Sequence, residues 1–540
     1  MGENIKTKEK KISEKKENSF FRKINKFVNS TLFGLILAVI HIVVTCIFLG
    51  ELLYLNIIPV WLFILICFVL LVLCAMAFLM SFAGKKVRAI GKIVSIIMVI
   101  ISVIGAYYIS YASKALDGIA GGNTKTDVIN IYVMKADAAK DINDAKDYTF
   151  GIMGVYDRTN TDKTLVKIKE LVGKEVSTKE YEGYLQLVQA LYDGEVEAII
   201  LNEAYIAQIT DNEEYASFEI VTKILHNESH ATELDVDTDK NVNDNTFALY
   251  LSGIDIRGKI TNTSRSDVNI IAIVNPDTKQ ILLINTPRDY YVPLSISEGV
   301  GDKLTHAGIY GVDVSMETLE MLYDMELDYY FRVNFTGFEK VIDALGGVEV
   351  YSEYSFRTSE SNYKINKGMN TLNGKQALAF VRERQSLPSG DNQRGKNQMA
   401  LIEAIIDKAA SSSILNDFTG LMESLEGSFQ TSMSSTQISS LVRMQLEEGG
   451  SWNVVNYAVE GTGASMHVYS MSSKVYVTIP DYTTVDIAKK LIQMVYDGET
   501  LSDEIIDELV EKSTETEDSN SGKNNTSDKT SSDNDNDDDN

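Results

Sequence analysis

SRSDVNIIAIVNPDTKQILLINTPRDYYVPL, residues 264–294, decides the fold class of this chain. Within it VNIIAIV (268–274) and QILLINTP (280–287) are nearly continuous apolar runs of strand length. Strands of that kind are covered on both faces. A further strand is expected at FALYLSGI (247–254). Helical spacing follows at METLEMLYDM (316–325), FEKVIDAL (338–345), KNQMALIEAIIDKAA (396–410) and VDIAKKLIQMVYDG (485–498). The mixture makes residues 246–500 an α/β unit.

The polar residues of the opening stretch point to chemistry. Arg265 and Asp267 stand two apart at the entrance of a strand and so share a face. NTPRDYY puts Arg288 just past the C-terminal end of a buried strand, where α/β sheets place their sites. Lysine is spread along the chain, whereas Arg257, Arg265, Arg288, Arg332, Arg357, Arg382, Arg384 and Arg394 all fall between Asp255 and Gln398. Arginine is used where a planar, always-charged fork must grip phosphate or carboxylate. Surface ion pairs are the alternative, and the paired spacing argues against them. FVRER (380–384), read as extended, puts Arg382 and Arg384 on one face and Glu383 on the other. Asp255 and Asp267 form a carboxylate pair which, with phosphate oxygens, suits Mg²⁺. Asp391 and Arg394 share the loop LPSGDNQRG (387–395), with Gln398 in the helix that follows. Asp391 either orients an arginine or acts as a general base.

Outward from this unit the chain changes character. Leu32–Leu49, Ile57–Phe82 and Ile93–Ala112 are apolar runs, each near the ~20 residues that cross a ~30 Å hydrocarbon core. Residues 1–30 carry a dense group of lysines, as does the second turn with Lys85, Lys86, Arg88 and Lys92, while Gly50–Asn56 has no Lys or Arg. The positive-inside rule therefore places the N-terminus in the cytoplasm, three transmembrane helices over residues 31–113, and everything beyond outside the cell. ATP-driven chemistry is improbable there, so the energy must arrive in the substrate. Cys46, Cys67 and Cys74 all fall in the apolar region, which leaves the polar part without a disulfide framework.

Residues 114–245 read as a small α/β accessory domain and linker. DVINIYV (127–133), YTFGIMGV (148–155) and VEAIIL (196–201) are strand candidates, and TLVKIKELVGK (164–174) and YLQLVQALYDG (184–194) are helical. Part of it resembles a lobe of a solute-binding protein. The polar run HNESHATELDVDTDKNVNDN (226–245) reads as the linker. Its HNESH lacks the HExxH spacing of a zinc site. Residues 501–540 read as an acidic, disordered tail. The formal net charge of −26 over 540 residues argues against nucleic acid.

Four ordered segments carry a family resemblance. They are residues 264–294, KLTHAGIYG (303–311), FTGFEKVIDALGGVEV (335–350) and LNGKQALAFVRERQSLPSGDNQRGKNQ (372–398). Together they resemble the LytR–CpsA–Psr family of envelope glycopolymer transferases. The resemblance implies a central mixed sheet flanked by helices and a pocket for a polyprenyl chain. It implies that Asp255 and Asp267 hold Mg²⁺ or Mn²⁺, and that Arg265, Arg288, Arg382 and Arg384 face a pyrophosphate. Lys303, Asp391, Arg394 and Gln398 would complete the polar end, with His306 structural. The implied reaction moves a glycopolymer, of teichoic acid or capsular polysaccharide type, from a polyprenyl pyrophosphate in the membrane lipid to peptidoglycan. Three spans and the accessory domain depart from the common single-anchor pattern. A polyprenyl-pyrophosphate hydrolase and a non-enzymatic membrane sensor are the rival readings.

Overall fold

The computed structural model describes residues 26–122, 124–155, 157–210, 212–233, 241–254, 260, 264–410 and 427–524. The described residues fall into two compact units. The first holds three helices long and apolar enough to cross a membrane: α1 (Thr31–Leu55), α2 (Val60–Met80) and α3 (Lys85–Ile119). Ser30 caps α1 by accepting from Phe33 N. Lys92, near the start of α3, donates to the carbonyls of Val28 and Ser30, so the start of α1 and the start of α3 lie side by side. A fourth helix, Ser435–Glu448, belongs to the same unit although it is far along the chain. Its Arg443 donates to Asn56 Oδ1 at 2.7 Å, and its Glu447 accepts from Val60 N at 3.1 Å. Its Ser435 hydroxyl donates to Asp117 Oδ1 at 2.6 Å.

The second unit begins with the accessory domain: β1 (Thr124–Met134), β2 (Thr149–Met153), α4 (Arg158–Val172), β3 (Ser177–Tyr181), α5 (Tyr184–Tyr192), β4 (Ala198–Asn202) and β5 (Thr222–Glu233). The sheet order is β3-β2-β4-β1-β5, with β2 parallel to β3 and β4, and β1 antiparallel to its neighbours. The expected linker therefore begins later than His226. Thr222–Glu233 pairs along its whole length with β1. Its side chains are mostly polar because it is an edge strand, and main-chain bonds rather than apolar burial hold it. His226 pairs with Glu228, while His230 meets the Thr164 hydroxyl, so the two histidines take separate partners.

The larger domain follows: β6 (Phe247–Ile254), β7 (Ser266–Asn275), β8 (Gln280–Asn285), the hairpin β9 (Tyr291–Pro293) and β10 (Gly301–Lys303), α6 (Leu304–Tyr310) and α7 (Val312–Tyr323). Next come β11 (Tyr329–Asn334), α8 (Phe335–Ala344), β12 (Val348–Ser352), β13 (Gly368–Leu372), α9 (Gly374–Arg382) and α10 (Asp391–Ala410). It ends with β14 (Phe429–Thr431), β15 (Asn453–Ala458), the long hairpin β16 (Gly461–Val468) and β17 (Met471–Pro480), α11 (Tyr482–Tyr496) and α12 (Asp503–Asn524). The central sheet is mixed, in the order β14-β11-β6-β7-β8-β15. All of β8 is buried, as its unbroken apolar run requires. On one face Tyr250, Ile271, Ile273, Leu282 and Ile284 pack against Leu319 of α7 and Leu491 of α11. The other face meets α10, behind which α8, α9, β12 and β13 form a second core around Ile342, Val350, Phe380 and Leu401. The accessory domain shares core with this domain: Ile309 of α6 packs among Leu187, Tyr205 and Phe218. Lys125 also bridges to Asp313 at 2.9 Å.

Two further expectations need correction. FVRER is not a strand. Helix α9 runs through Arg382, opened by a capping box between Asn373 and Gln376, because a helix buries Ala377, Phe380 and Val381 together. Nor is the chain a solvated tail from Leu501. Helix α12 starts at Asp503, and its Ile505, Ile506 and Leu509 pack against the core. The apolar residues before Ser513 provide a face to bury; residues 525–540 lie outside the described set.

Candidate active site

The polar centre lies where the start of β7, the end of β8, the β10–α6 junction and the first turn of α10 converge. Arg288 follows β8, and its Nη1 lies 2.7 Å from Asp267 Oδ2 at the start of β7. The Thr305 hydroxyl, in the first turn of α6, donates to Asp267 Oδ1 at 3.3 Å. Lys303 Nζ stands 2.9 Å from Asp289 Oδ1, and Arg288 Nε is 3.7 Å from the same oxygen. At the head of α10, Arg394 Nη2 is 2.6 Å from Asp391 Oδ1. Two glycines allow this convergence. A Cβ on Gly308 would come within 2.5 Å of the Ser264 carbonyl, so α6 lies directly on the backbone leading into Arg265. A Cβ on Gly395 would reach 2.2 Å from Asn285 Nδ2, so α10 sits on the end of β8 without displacing that side chain because residue 395 is glycine.

The charges of the site act on one another. Burial pulls the Arg394 guanidinium below its ordinary pKa; Asp391 and Asp267 oppose this, and Arg288 and Arg384 add to it. Burial likewise pushes the Asp391 carboxyl up, against the opposing field of Arg394. Asp289 is buried too, yet Lys303, Arg288 and Arg394 outweigh burial and hold it below the usual carboxylate range. Arg394 Nε is buried with no hydrogen-bond partner among the described residues. A compact group of cations with an unmet buried donor suits a phosphate-bearing anion.

Most of the sequence-selected residues therefore meet here: Asp267, Arg288, Lys303, Arg384, Asp391 and Arg394, with Arg265 beside them on the residue before β7. Arg382 is turned to another task. Its guanidinium stacks over Phe335 at 4.4 Å and pairs with Glu360 at 2.6 Å. Gln398 is buried and donates to the Val381 carbonyl at 3.3 Å, tying α10 to the last turn of α9. His306 is held in a buried network with Asp302 and Ser470. Asp289 and Thr305 escaped the sequence reading. Asp289 stands next to Arg288 in NTPRDYY, and that adjacency was the signal available.

Asp255 lies outside the described residues. Among the described residues no group of three His, Cys, Asp or Glu converges on a metal position. Asp267 has spare lone pairs beyond its bonds to Arg288 and Thr305. It therefore fits a hard cation whose shell phosphate oxygens complete. A separate cavity of about 520 Å³, lined by residues that include Tyr323, Asp324, Met325, Lys489, Ile492 and Tyr496, contains none of the arginine site.

A model of the LytR_cpsA_psr family matches residues 214–481. A Bacillus subtilis (strain 168) relative named polyisoprenyl-teichoic acid–peptidoglycan teichoic acid transferase TagU is 31% identical over 223 residues, which is 41% of this chain and 70% of that one. The chain belongs to the LytR–CpsA–Psr family. A TagU of Bacillus licheniformis is 36% identical over 208 residues, 38% of this chain, and the match spans 65% of that relative's length. A crystal structure of B. subtilis TagV is similar at 26% identity and a TM-score of 0.41, over 48% of this chain and 99% of that one. Three of the four family segments quoted from the sequence supply Asp267, Arg288, Lys303, Asp391 and Arg394 to the convergence.

Proposed function

We propose that this chain is a membrane-anchored phosphotransferase that moves a glycopolymer from a polyprenyl pyrophosphate to peptidoglycan outside the cell. The observation that carries this reading is the meeting of Arg288, Lys303, Arg384 and Arg394 at one end of the sheet's inner strands, in a LytR–CpsA–Psr chain. The named TagU relatives, by their names, transfer teichoic acid from a polyisoprenyl carrier to peptidoglycan. The anchor supports the orientation. Lys92 at the head of α3 joins the start of α1, so Lys85, Lys86, Arg88 and Lys92 lie at the same end of the bundle as the start of α1. The other end, with Asn56, Val60 and Asp117, carries the Ser435–Glu448 helix.

In this reading a peptidoglycan hydroxyl attacks the phosphorus nearer the glycan. A new P–O bond forms, the bridging P–O bond of the pyrophosphate breaks, and polyprenyl phosphate leaves. Asp391, raised by burial, takes the hydroxyl proton. Arg288, Arg384 and Arg394 neutralise charge that spreads over the phosphoryl oxygens, which is the main work in phosphoryl transfer. Asp267, with Asp255, would hold a Mg²⁺ or Mn²⁺ ion, whose contribution is further neutralisation of the pyrophosphate. The test is full-length protein in detergent, given a short polyprenyl pyrophosphate glycan and peptidoglycan fragments. The expected products are a phosphodiester-linked glycan and polyprenyl monophosphate. Equal turnover without peptidoglycan, releasing free glycan phosphate, would replace transfer by hydrolysis.

A further inference from the structure

Arg382 and Arg384 are two residues apart and are given different tasks, and the residue between them sets the division. Glu383 ends α9 with an extended backbone, φ −68° and ψ 132°. Its side chain is 4% exposed. Oε1 accepts from the Ser359 hydroxyl at 2.8 Å, from Ser386 N at 3.0 Å and from Arg384 N at 3.1 Å, while Oε2 accepts from Ser359 N. Burial pushes this carboxyl up, and the donors from Ser359 and Ser386 outweigh burial and keep it ionised. One carboxylate thus ties together three pieces of chain: the end of α9, the Arg384–Ser386 turn leading towards Asp391, and the Ser359–Glu360 lip. Glu360 on that lip holds Arg382. Arg384, on the turn, acts electrostatically on Asp391 and Arg394. Between lip and turn lies a polar nook of about 100 Å³ lined by Ser359, Glu360, Arg382, Glu383, Arg384 and Gln385.

We propose that Glu383 is a positioning residue of the reaction, a clamp that fixes Arg384 in register with Arg394 and Asp391 while the same bonds hold the lip that keeps Arg382 aside. The role rests on the reading of the arginine cluster as a pyrophosphate site. A carboxylate is required because every group facing it is a donor. The isosteric Glu383→Gln presents an NH₂ to N–H groups on one side, so the turn carrying Arg384 must shift. Among the described residues Glu383 is the side chain that bonds both the lip and the turn.

The test uses full-length protein and inorganic pyrophosphate as the probe, by titration calorimetry, with kcat and KM for transfer measured alongside. Glu383→Gln is expected to weaken pyrophosphate binding and kcat each about tenfold at unchanged stoichiometry, since a small displacement of a charge-bearing group has effects of this order. Ser359→Ala removes one donor and is expected to lose about threefold. In an Arg384→Ala background both substitutions are expected to add little, because the residue they act through is gone. A purely structural role predicts lost active fraction, unchanged affinity and an undiminished penalty in that background. Either of the last two results overturns the clamp. If Glu383→Gln does not fold, Ser359→Ala decides alone: affinity equal to wild type overturns the proposal. Wild-type protein that does not bind pyrophosphate overturns the anion reading itself, which is a different failure.

Discussion

Arg288 Nη1 lies 2.7 Å from Asp267 Oδ2, an ion pair joining the end of β8 to the start of β7. The pair sets a guanidinium and a carboxylate side by side, and in the proposed reaction the two have separate tasks, so each removal has its own signature. Asp267→Asn is expected to lower transfer about tenfold to a hundredfold, the value of a charge-assisted contact made in the transition state, and to blunt the response to added Mg²⁺. Retention of full activity with an unchanged Mg²⁺ titration would remove Asp267 from the metal position.

The two arginines flanking Glu383 should not be equivalent. Arg384→Ala is expected to lose about a hundredfold in kcat and Arg384→Lys about tenfold, because lysine keeps the charge and loses the bidentate fork. Arg382→Ala should lose less, since its guanidinium is already committed to Phe335 and Glu360. Kinetics on the three variants check this order; a larger loss at Arg382 than at Arg384 contradicts it.

Asp391 must be ionised to take a proton, and burial raises its carboxyl. The acid limb of kcat should therefore fall above the ~3.9 of a free aspartate, with activity lost as pH drops through it. Asp391→Asn should cost about a hundredfold or more, the usual share of a general base. A pH–rate profile whose acid limb survives in Asp391→Asn would assign the limb elsewhere and leave Asp391 as the partner of Arg394.

Asp157 is expected to make the stability of the accessory domain depend on pH. It sits in a left-handed backbone, φ 52°, and its carboxyl is raised by burial from 3.8 to about 6 despite hydrogen bonds from Asn202 and Asn160. A raised folded pKa means that the stability it confers is full below pH 3.8 and is lost as pH rises through about 6. The loss is up to about 3 kcal/mol by linkage. Asp157→Asn, which also suits the left-handed backbone, should flatten this dependence. Melting curves at pH 5 and pH 8 that shift equally in wild type and variant would show that Asp157 does not titrate there.

The orientation of the anchor is open to labelling. In a chain with Cys46, Cys67 and Cys74 replaced, a cysteine at Thr124 should react with an impermeant reagent on wall-stripped cells, and one at Lys86 should not. The reverse pattern would turn the molecule around.

The sequence made some of this legible and hid the rest for physical reasons. The strands around Ile271 and Leu282 were readable because both faces are buried, so apolar side chains occur at successive positions. Arg288 was readable because a cation directly after such a strand has few other places to be. The end of α9 was not, because ALAFV satisfies a short strand and a helix end equally, and only the packing of Phe380 on its neighbours decides. The edge strand β5 looked like a linker because backbone pairing leaves no mark in side-chain polarity. Glu383 reads from the sequence only as the residue facing away from the two arginines, since its clamping role depends on Ser359, more than twenty residues away, as well as on the adjacent turn.

The Ser435–Glu448 helix has a consequence for how the protein is built and handled. The chain makes α1, α2 and α3 first, then more than three hundred residues pass before the segment that contacts Asn56, Val60 and Asp117 is synthesised. During translation the bundle is therefore present without one of its members, and its polar groups at that end face solvent until late. A soluble fragment cut free after Ile119 inherits the opposite defect, a helix severed from Arg443's and Glu447's partners. Low solubility in such a fragment would reflect that severed contact, and deleting Ser435–Gly450 from it, with a short bridge to Ser451, is the repair the architecture suggests.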